Sequence, residues 1–361
     1  MPQHACRTPA RPRSFWRVRD SWNNPLGRAC ATEHDQRSGR AMGQEFGEWA
    51  HGWQCLAASN RNHHFLKSHI VPMRSRPEMA HLRSHSGPGS SATLCGAPTA
   101  PEFEIEAPVV RGLILERLRM PLGLTSRYCE GCGDALDEHG VHRAACTRTG
   151  RLRSRAVPLE RTLARVCREA GATVRQNALL RNMNISVSAT DRRQIEVLAD
   201  GLSLKRGAQL AVDITLRSPV CADGRPRPGA HCKDGAVANG ARADKERKYP
   251  ELLAGRCSLV VVALETGGRW STEALEFIDD LARAKSREAP PLLRFSTSLA
   301  YRRRWLRMLS VAAGKAFISA LGSDGSPETY GCDGALPALG DLFGRGDEAW
   351  RGNLIHFAGA S

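Results

Sequence analysis

Three cysteines and one histidine follow one another in the pattern C-x2-C-x9-H-x3-C, the most specific spacing in this sequence. They are Cys129, Cys132, His142 and Cys146. The first two thiols form a tight knuckle, and His142 and Cys146 lie one helical turn apart. Four ligands of this softness and spacing are typical of tetrahedral zinc in a closed structural site, so we predict a zinc module here. His139 is an alternative to His142, although its spacing to Cys146 is less suitable.

Two later segments have the composition of β-strands and carry carboxylates inside apolar runs. They are Gln194–Asp200 and Gln209–Leu216, and both are bounded by turn residues. A carboxylate in a buried strand is costly unless it is paired or binds a cation. Glu196 and Asp213, with Asp200 as the alternative first acid, are therefore candidates for a divalent-metal site if the strands pair antiparallel. The same acids are also compatible with solvated positions that protect a sheet edge.

The elements around these strands predict an α/β fold. An amphipathic helix is expected from Pro158 to Gly171, then a short strand at 173–176. After the two acidic strands come a helix at about 241–253 and a fully buried strand at 257–265. Another helix is capped by Ser271 or Thr272. This order predicts a small mixed sheet flanked by helices.

Composition divides the chain into five parts. Residues 1–104 hold eight of the twelve histidines among Pro, Ser, Arg and Gly without apolar periodicity, which predicts a disordered low-complexity arm. We expect the zinc module at 105–155, the α/β domain at 156–290, a basic helix at 291–322 and a disordered tail at 323–361. The sequence contains no secretory leader and no apolar run of membrane-spanning length, so we interpret the cysteines as intracellular thiols.

The charge of the chain indicates a polyanionic partner. Lysine and arginine total 52 against 37 acidic residues, a formal net charge of +15. Clustered arginines favour DNA, with RNA as a second candidate, over a basic surface that binds nothing. A solvated arginine face over a buried Trp305 is the alternative for the last helix. The candidate nucleic-acid-binding residues are Arg143, Arg148, Arg151, Arg153, Arg155, Arg302, Arg303 and Arg304.

The order of these motifs resembles one known family. The pattern runs from the Cys–His module and an Arg-rich helix through Arg192-Arg193-x-x-Glu196, the strand Leu210–Thr215 and Lys245-x-x-x-Tyr249 to Glu265-x-Gly267-Gly268. Residues 105–321 resemble the C-terminal region of non-LTR retrotransposon polyproteins, downstream of the reverse transcriptase. There a zinc knuckle precedes a restriction-endonuclease-like domain of the PD-(D/E)XK type.

The resemblance implies a metal-dependent DNA endonuclease that nicks its target for integration, and hence a nuclear location. Glu196 and Asp213 match the two acids that bind Mg²⁺ or Mn²⁺. Thr215 stands where the family pattern has lysine, and Lys245 on the following helix is the expected replacement. Its cation would orient water or stabilise the charged transition state. The alternative is a zinc-dependent nucleic-acid-binding protein whose nuclease fold is inactive.

Overall fold

The computed structural model describes part of the chain. The described residues are 53–322 without 88, 97, 125–126, 184 and 254–256. The predicted arm up to residue 52 and the predicted tail at 323–361 lie outside them. Within the described range, no helix combines the length and hydrophobicity that crossing a bilayer requires.

The chain divides into two compact units, Met1–Ser75 and Arg76–Ser361. In the described part of the first unit, helix α1 spans Trp53–Phe65. A π-helical turn, Leu66–Ile70, and a 3-10 turn, Val71–Met73, follow it directly. The second unit contains the sheet and all the predicted site residues.

A four-stranded mixed sheet with the order β1-β2-β3-β4 forms the centre of the second unit. The strands are β1 (Thr173–Leu179), β2 (Gln194–Asp200), β3 (Gln209–Arg217) and β4 (Cys257–Glu265). β2 pairs antiparallel with both β1 and β3, whereas β3 and β4 run parallel along their whole length. The predicted mixed sheet and the antiparallel pairing of the two acidic strands are therefore confirmed.

Seven helices surround this sheet in the described part of the second unit. They are α2 (Arg76–Ser84), α3 (Ala107–Arg117), α4 (Val141–Ala145), α5 (Arg151–Glu169), α6 (Ala236–Lys248), α7 (Thr272–Ser286) and α8 (Arg294–Gly322). Short 3-10 turns lie at Pro101–Phe103, Leu180–Asn182, Lys205–Gly207, Pro250–Leu252 and Pro291–Leu293. As predicted, Ser271 caps α7, because its hydroxyl accepts a hydrogen bond from Ala274 N at 3.1 Å.

Helices cover both faces of the sheet and bury two apolar clusters. On one face α5, α7 and α8 pack on the strands, with Leu163, Ile278 and Trp305 fully buried. On the other face Ala238 and Ala241 of α6 pack against β4 and its neighbours. Burial of each large side chain contributes about 1.5–3 kcal/mol, and Trp305 belongs to the same core as the sheet. The segment 291–322, predicted as a separate part, is therefore an integral helix of the α/β unit.

Helix α5 begins at Arg151, so the predicted start at Pro158 is wrong. A proline inside a helix removes one N–H donor and leaves the carbonyl of Ser154 without its helical partner. The helix continues because its residues on both sides of the proline are held by the core. Leu159 is fully buried, and Arg155 is 5% exposed and bonded to neighbouring backbone.

Residues 76–103, predicted to belong to the disordered arm, pack on the α/β core instead. Gly267 N donates to Ser84 Oγ at 3.0 Å, and Arg269 N donates to Ser84 O at 3.1 Å. A Cβ atom on Gly267 would lie 2.6 Å from the carbonyl carbon of Ser84, so glycine is needed at this approach. Phe103 joins the main core. These contacts join segments that are far apart in the chain, so the local composition of residues 76–103 does not predict them.

Strand β4 lies at one edge of the sheet, and two side chains bond its outward backbone groups. Val261 N donates to Glu273 Oε1 at 3.1 Å, and Arg242 Nη1 donates to Leu259 O at 3.3 Å. Arg242 and Glu273 also form an ion pair with each other. Arg242 of α6 and Glu273 of α7 thus lie over this edge, and each satisfies one backbone group of β4.

Candidate active site and metal-binding cluster

The four predicted zinc ligands meet in space. One ligand atom from each of Cys129, Cys132, His142 and Cys146 lies within 4.8 Å of the others. Cys146 Sγ is 3.8 Å from Cys129 Sγ and 3.9 Å from Cys132 Sγ, and His142 Nε2 is 3.1 Å from Cys132 Sγ. Bond lengths of ~2.0–2.3 Å put the ligands of tetrahedral zinc about 3.3–3.8 Å apart. The cluster could therefore hold a metal ion and is compatible with zinc.

Local hydrogen bonds hold the backbone that carries His142 beside the cysteines. The carboxylate of Asp137 caps the short helix α4 by accepting from Val141 N at 2.9 Å and from His142 N at 2.8 Å. His139, the alternative ligand, lies outside the cluster, and its Nε2 is 3.4 Å from a carboxylate oxygen of Glu138. The i, i+4 spacing to Cys146 thus distinguished the two histidines correctly.

The acidic strands bring Glu196 and Asp213 side by side. The ladder between β2 and β3 ends at Val197 and Val212, so Glu196 and Asp213 are the next residues opposite one another. Glu196 Oε2 accepts a hydrogen bond from Ile214 N at 2.6 Å. Asp213 is fully buried. Among the described residues, none donates a hydrogen bond to its Oδ2.

Lys245 reaches both acids from α6. Its Nζ is 2.5 Å from Asp213 Oδ1 and 3.9 Å from Glu196 Oε1. Tyr249 follows at the end of the same helix, and its hydroxyl donates to Gln194 O at 2.7 Å. This bond fixes the end of α6 to the start of β2. Three of the four predicted catalytic residues, Glu196, Asp213 and Lys245, thus share one site.

The fourth predicted catalytic residue, Asp200, does not belong to this site. It lies at the other end of β2, opposite Thr173. There it accepts a hydrogen bond from Gln209 Nε2 at 2.6 Å and lies 3.5 Å from the Arg175 guanidinium. Thr215 lines the same cleft as Glu196 and is partly buried. The cation that reaches the two acids is therefore Lys245 of α6, and Thr215 occupies the strand position where the family pattern has lysine.

Burial makes these carboxylates difficult to ionise. Burial, with the neighbouring Asp213 charge, raises the pKa of Glu196 above its usual range, and burial raises the pKa of Asp213 despite Lys245. Glu160 on α5 lines the same cleft, and burial together with Asp213 raises its pKa as well. Sequence reasoning missed Glu160, because an acid on an amphipathic helix looks like an ordinary polar position. Lys245 alone therefore does not keep all three carboxyl groups readily ionised, and a further cation at this position would favour their charged forms.

A cleft of about 650 Å³ opens beside these acids, between the N-terminal half of α5 and the end of α6. Burial lowers the pKa of Arg227, and the positive charge of Arg217 lowers it further. Burial, with a smaller contribution from the positive charge of Arg227, lowers the pKa of Arg155 to about 10. Crowded cations of this kind favour a bound anion. The cationic residues that line the cleft are Arg153, Arg155, Arg192, Arg193, Arg217, Arg227, Lys245 and Lys248.

The predicted nucleic-acid-binding arginines next to the Cys–His cluster differ in how far their side chains are buried. Arg143 is buried and donates to Leu321 O at 2.5 Å, and Arg155 is buried and donates to Ala144 O at 2.8 Å. Both side chains therefore stabilise the fold, and of the two only Arg155 also lines the cleft. Arg148 and Arg153 are exposed, and Arg153 lines the cleft. Arg151 is partly buried and donates to a backbone carbonyl of α8 at 3.2 Å.

On α8, two of the three predicted arginines bind acids of the same chain. Arg302 forms an ion pair with Asp279, and Arg304 lies 3.2 Å from a carboxylate oxygen of Glu169. Arg303 is exposed. Trp305 is buried, as the alternative of a solvated arginine face expected, but Arg302 and Arg304 pair with acids of neighbouring helices and are not simply solvated.

Comparison of the sequence with models of protein families found no match, and comparison with curated proteins found none either. The assignment of a function therefore depends on the residues and their geometry.

Proposed function

We propose that the chain is a metal-dependent DNA endonuclease of the restriction-endonuclease-like type, derived from the C-terminal region of a non-LTR retrotransposon polyprotein and acting in the nucleus. One observation carries the proposal. The fully buried Asp213 leaves its Oδ2 without a hydrogen bond from any described residue, and it lies beside Glu196, which lines a cationic cleft. A buried carboxylate oxygen in this state is strongly destabilising unless a cation or donor satisfies it.

The donor set suits a hard divalent ion. Glu196 and Asp213 offer carboxylate oxygens from adjacent positions on paired strands, the type of ligand that Mg²⁺ and Mn²⁺ prefer. When bound, such an ion would supply Lewis acidity and neutralise charge at the scissile phosphate. Glu160, on the opposite wall, is a further acid close to the same position.

Lys245 supplies the mobile cation of the site. In the structure it neutralises part of the charge of Asp213 and lies 3.9 Å from Glu196. A lysine ammonium on a flexible stem can turn from these acids towards a phosphate that enters the cleft. It thereby stabilises the charge that develops there. This role requires no lysine at Thr215.

The walls of the cleft fit a nucleic-acid backbone. Arg153 and Arg192 are exposed, and both line the cleft. A bound phosphate would relieve the repulsion between Arg227 and Arg217, which line the same cleft. Contacts of this kind position DNA without reading its sequence.

A second candidate function is a zinc-dependent nucleic-acid-binding protein with an inactive nuclease fold. It is favoured by the 2.5 Å contact between Lys245 Nζ and Asp213 Oδ1, because the ammonium occupies one of the oxygens that a metal would use. Binding through the cationic cleft would survive in that case, and cleavage would not.

The test is nicking of a supercoiled plasmid in Mg²⁺ or Mn²⁺ by the full chain. Asp213→Asn should abolish nicking and leave DNA affinity unchanged, because the affinity rests on the arginines. Asp200→Asn is the matched control, since it removes an acid from the same sheet at a position outside the site, and it should nick normally. Nicking that persists in Asp213→Asn contradicts the proposal, and salt-sensitive binding without nicking in the wild type supports the second candidate.

A further inference from the structure

A second group of metal-type ligands lies away from the cleft, where α2 meets α3. One ligand atom from each of His81, His85 and Glu116 lies within 4.8 Å of the others. The backbone N–H of His85 donates to His81 O at 3.0 Å, so the helical turn continues past Ser84 and both rings share one face. Glu116 comes from α3, and its Oε2 is 3.3 Å from His85 Nε2.

All three side chains are withdrawn from solvent. His81 is 6% exposed and Glu116 is 5% exposed, and the side chain of His85 is 10% exposed. Across the described part of the chain, neither ring nitrogen of His81 or of His85 forms a hydrogen bond. Buried imidazole nitrogens that form no hydrogen bond are destabilising, and the 3.3 Å contact with Glu116 involves only Nε2 of His85. An ion or a donor at this position would therefore stabilise the group.

The backbone holds these ligands in place. Arg117 donates from Nη2 to His85 O at 3.0 Å and from Nη1 to Ser90 O at 3.1 Å, which fixes the segment after α2. A cavity of about 30 Å³ is lined by His85 and Glu116. This is room for about one water molecule, and therefore for a fourth ligand but for no organic substrate.

We propose that His81, His85 and Glu116 bind one divalent transition-metal ion, with zinc as the expected ion. Two imidazoles and one carboxylate are a frequent zinc donor set with one position left for water, whereas Mg²⁺ and Ca²⁺ prefer oxygen ligands alone. The ion would link α2 to α3. Since α2 also packs on the Gly267 turn after β4, this link would stabilise the packing of the segment 76–103 on the α/β core.

The experiment counts zinc per full-length chain by mass spectrometry after dialysis. Glu116→Gln, which preserves side-chain volume, and His85→Gln should each hold one zinc fewer than the wild type. His231→Gln, a partly buried histidine outside the group, is the control and should hold the wild-type number. Circular dichroism establishes that each variant is folded.

Cobalt substitution separates this site from the Cys–His cluster. Cobalt bound to thiolates has a sulfur-to-metal charge-transfer band, so Glu116→Gln should retain that band and lose one cobalt, whereas Cys146→Ser should lose the band and keep the second ion. Folded Glu116→Gln and His85→Gln proteins that hold as much zinc as the wild type would overturn the proposal. Complete loss of bound metal from a folded Cys146→Ser protein would also overturn it.

Discussion

His142 Nδ1 lies 3.1 Å from the carbonyl oxygen of Ala222, which joins the Cys–His cluster to the segment that follows β3. Histidines that ligate metals commonly donate their second ring N–H to such an acceptor, which fixes the tautomer and the orientation of the ring. Ala222 belongs to the long connection from β3 to α6, the helix that carries Lys245. This contact therefore connects the cluster to the segment that leads to α6.

Loss of one cysteine ligand tests the cluster. Cys146→Ser should lose the zinc of this site and lower the free energy of unfolding by about 2–5 kcal/mol, because metal binding contributes to folding. Zinc analysis and thermal unfolding measure the two effects. Cys232→Ser is the control, since Cys232 is exposed and lies outside the cluster. A Cys146→Ser protein with the zinc content and stability of Cys232→Ser would contradict the prediction.

Replacement of Lys245 tests whether the acidic site accepts a cation. Lys245→Met leaves the buried Asp213 without its ion-pair partner and should lower the free energy of unfolding by about 2–4 kcal/mol in chelator. Addition of Mg²⁺ or Mn²⁺ should restore part of this loss, because the ion takes over the charge of the ammonium. Arg247→Met, which removes an exposed cation from the same helix outside the cleft, should show neither effect. A loss that no divalent ion reduces is evidence against a metal at Asp213.

The salt dependence of DNA binding tests the cleft. Arg153→Gln removes one exposed cation from its wall and should reduce the slope of log affinity against log salt by about 0.9. Arg168→Gln removes an exposed arginine from the same helix outside the cleft and should leave the slope unchanged. Fluorescence anisotropy with a short duplex at several salt concentrations gives both slopes. Equal slopes for the two variants would place the DNA elsewhere on the protein.

A partly buried ion pair between Glu169 of α5 and Arg304 of α8 predicts pH-dependent stability. Burial raises the pKa of Glu169, but hydrogen bonds from Arg304, Trp305 and Arg165 outweigh it and lower the pKa below its usual value. Trp305 Nε1 donates to Glu169 Oε2 at 2.8 Å. A lowered pKa stabilises the fold above the unfolded-state pKa, and this stabilisation is lost as the pH falls through the folded-state pKa.

Glu169→Gln should therefore reduce the free energy of unfolding at pH 7 by about 1–2 kcal/mol. The difference from the wild type should shrink as the pH falls below the pKa of an ordinary glutamate and on through the lowered pKa of Glu169 in the folded protein. Thermal unfolding between pH 7 and pH 3 measures it. Glu276→Gln, at an exposed position of α7, should match the wild type throughout. A difference that stays constant down to pH 3 would show that Glu169 acts through shape alone.

Local patterns predicted the parts of the structure that local forces determine. The strand segments and the antiparallel pairing of β2 with β3, which brings Glu196 beside Asp213, follow from apolar periodicity and a short connection. The position of Lys245 was expected from the family resemblance, because a long connection separates β3 from α6. Contacts between distant segments were missed. Ser84 against Gly267 and the acid Glu160 in the cleft depend on the tertiary fold, and no period or spacing in the sequence encodes them.

The arginines illustrate a second limit of the sequence. A run of cations predicts positive charge, but burial decides whether each guanidinium meets phosphate or a backbone carbonyl. Arg143 and Arg155 are hydrogen-bonded inside the fold, whereas Arg148 and Arg153 in the same run are exposed. Sequence gives the sign and amount of charge in a segment, and the tertiary fold determines which charges are free to bind.

The covered edge of β4 has a consequence for self-association. An incoming strand would need the N–H of Val261 and the carbonyl of Leu259, which already bond Glu273 and Arg242. It would therefore have to break the ion pair between α6 and α7 before gaining its first ladder bond. Continuation of the sheet into a neighbouring molecule, the usual beginning of strand-mediated aggregation, is disfavoured at this edge.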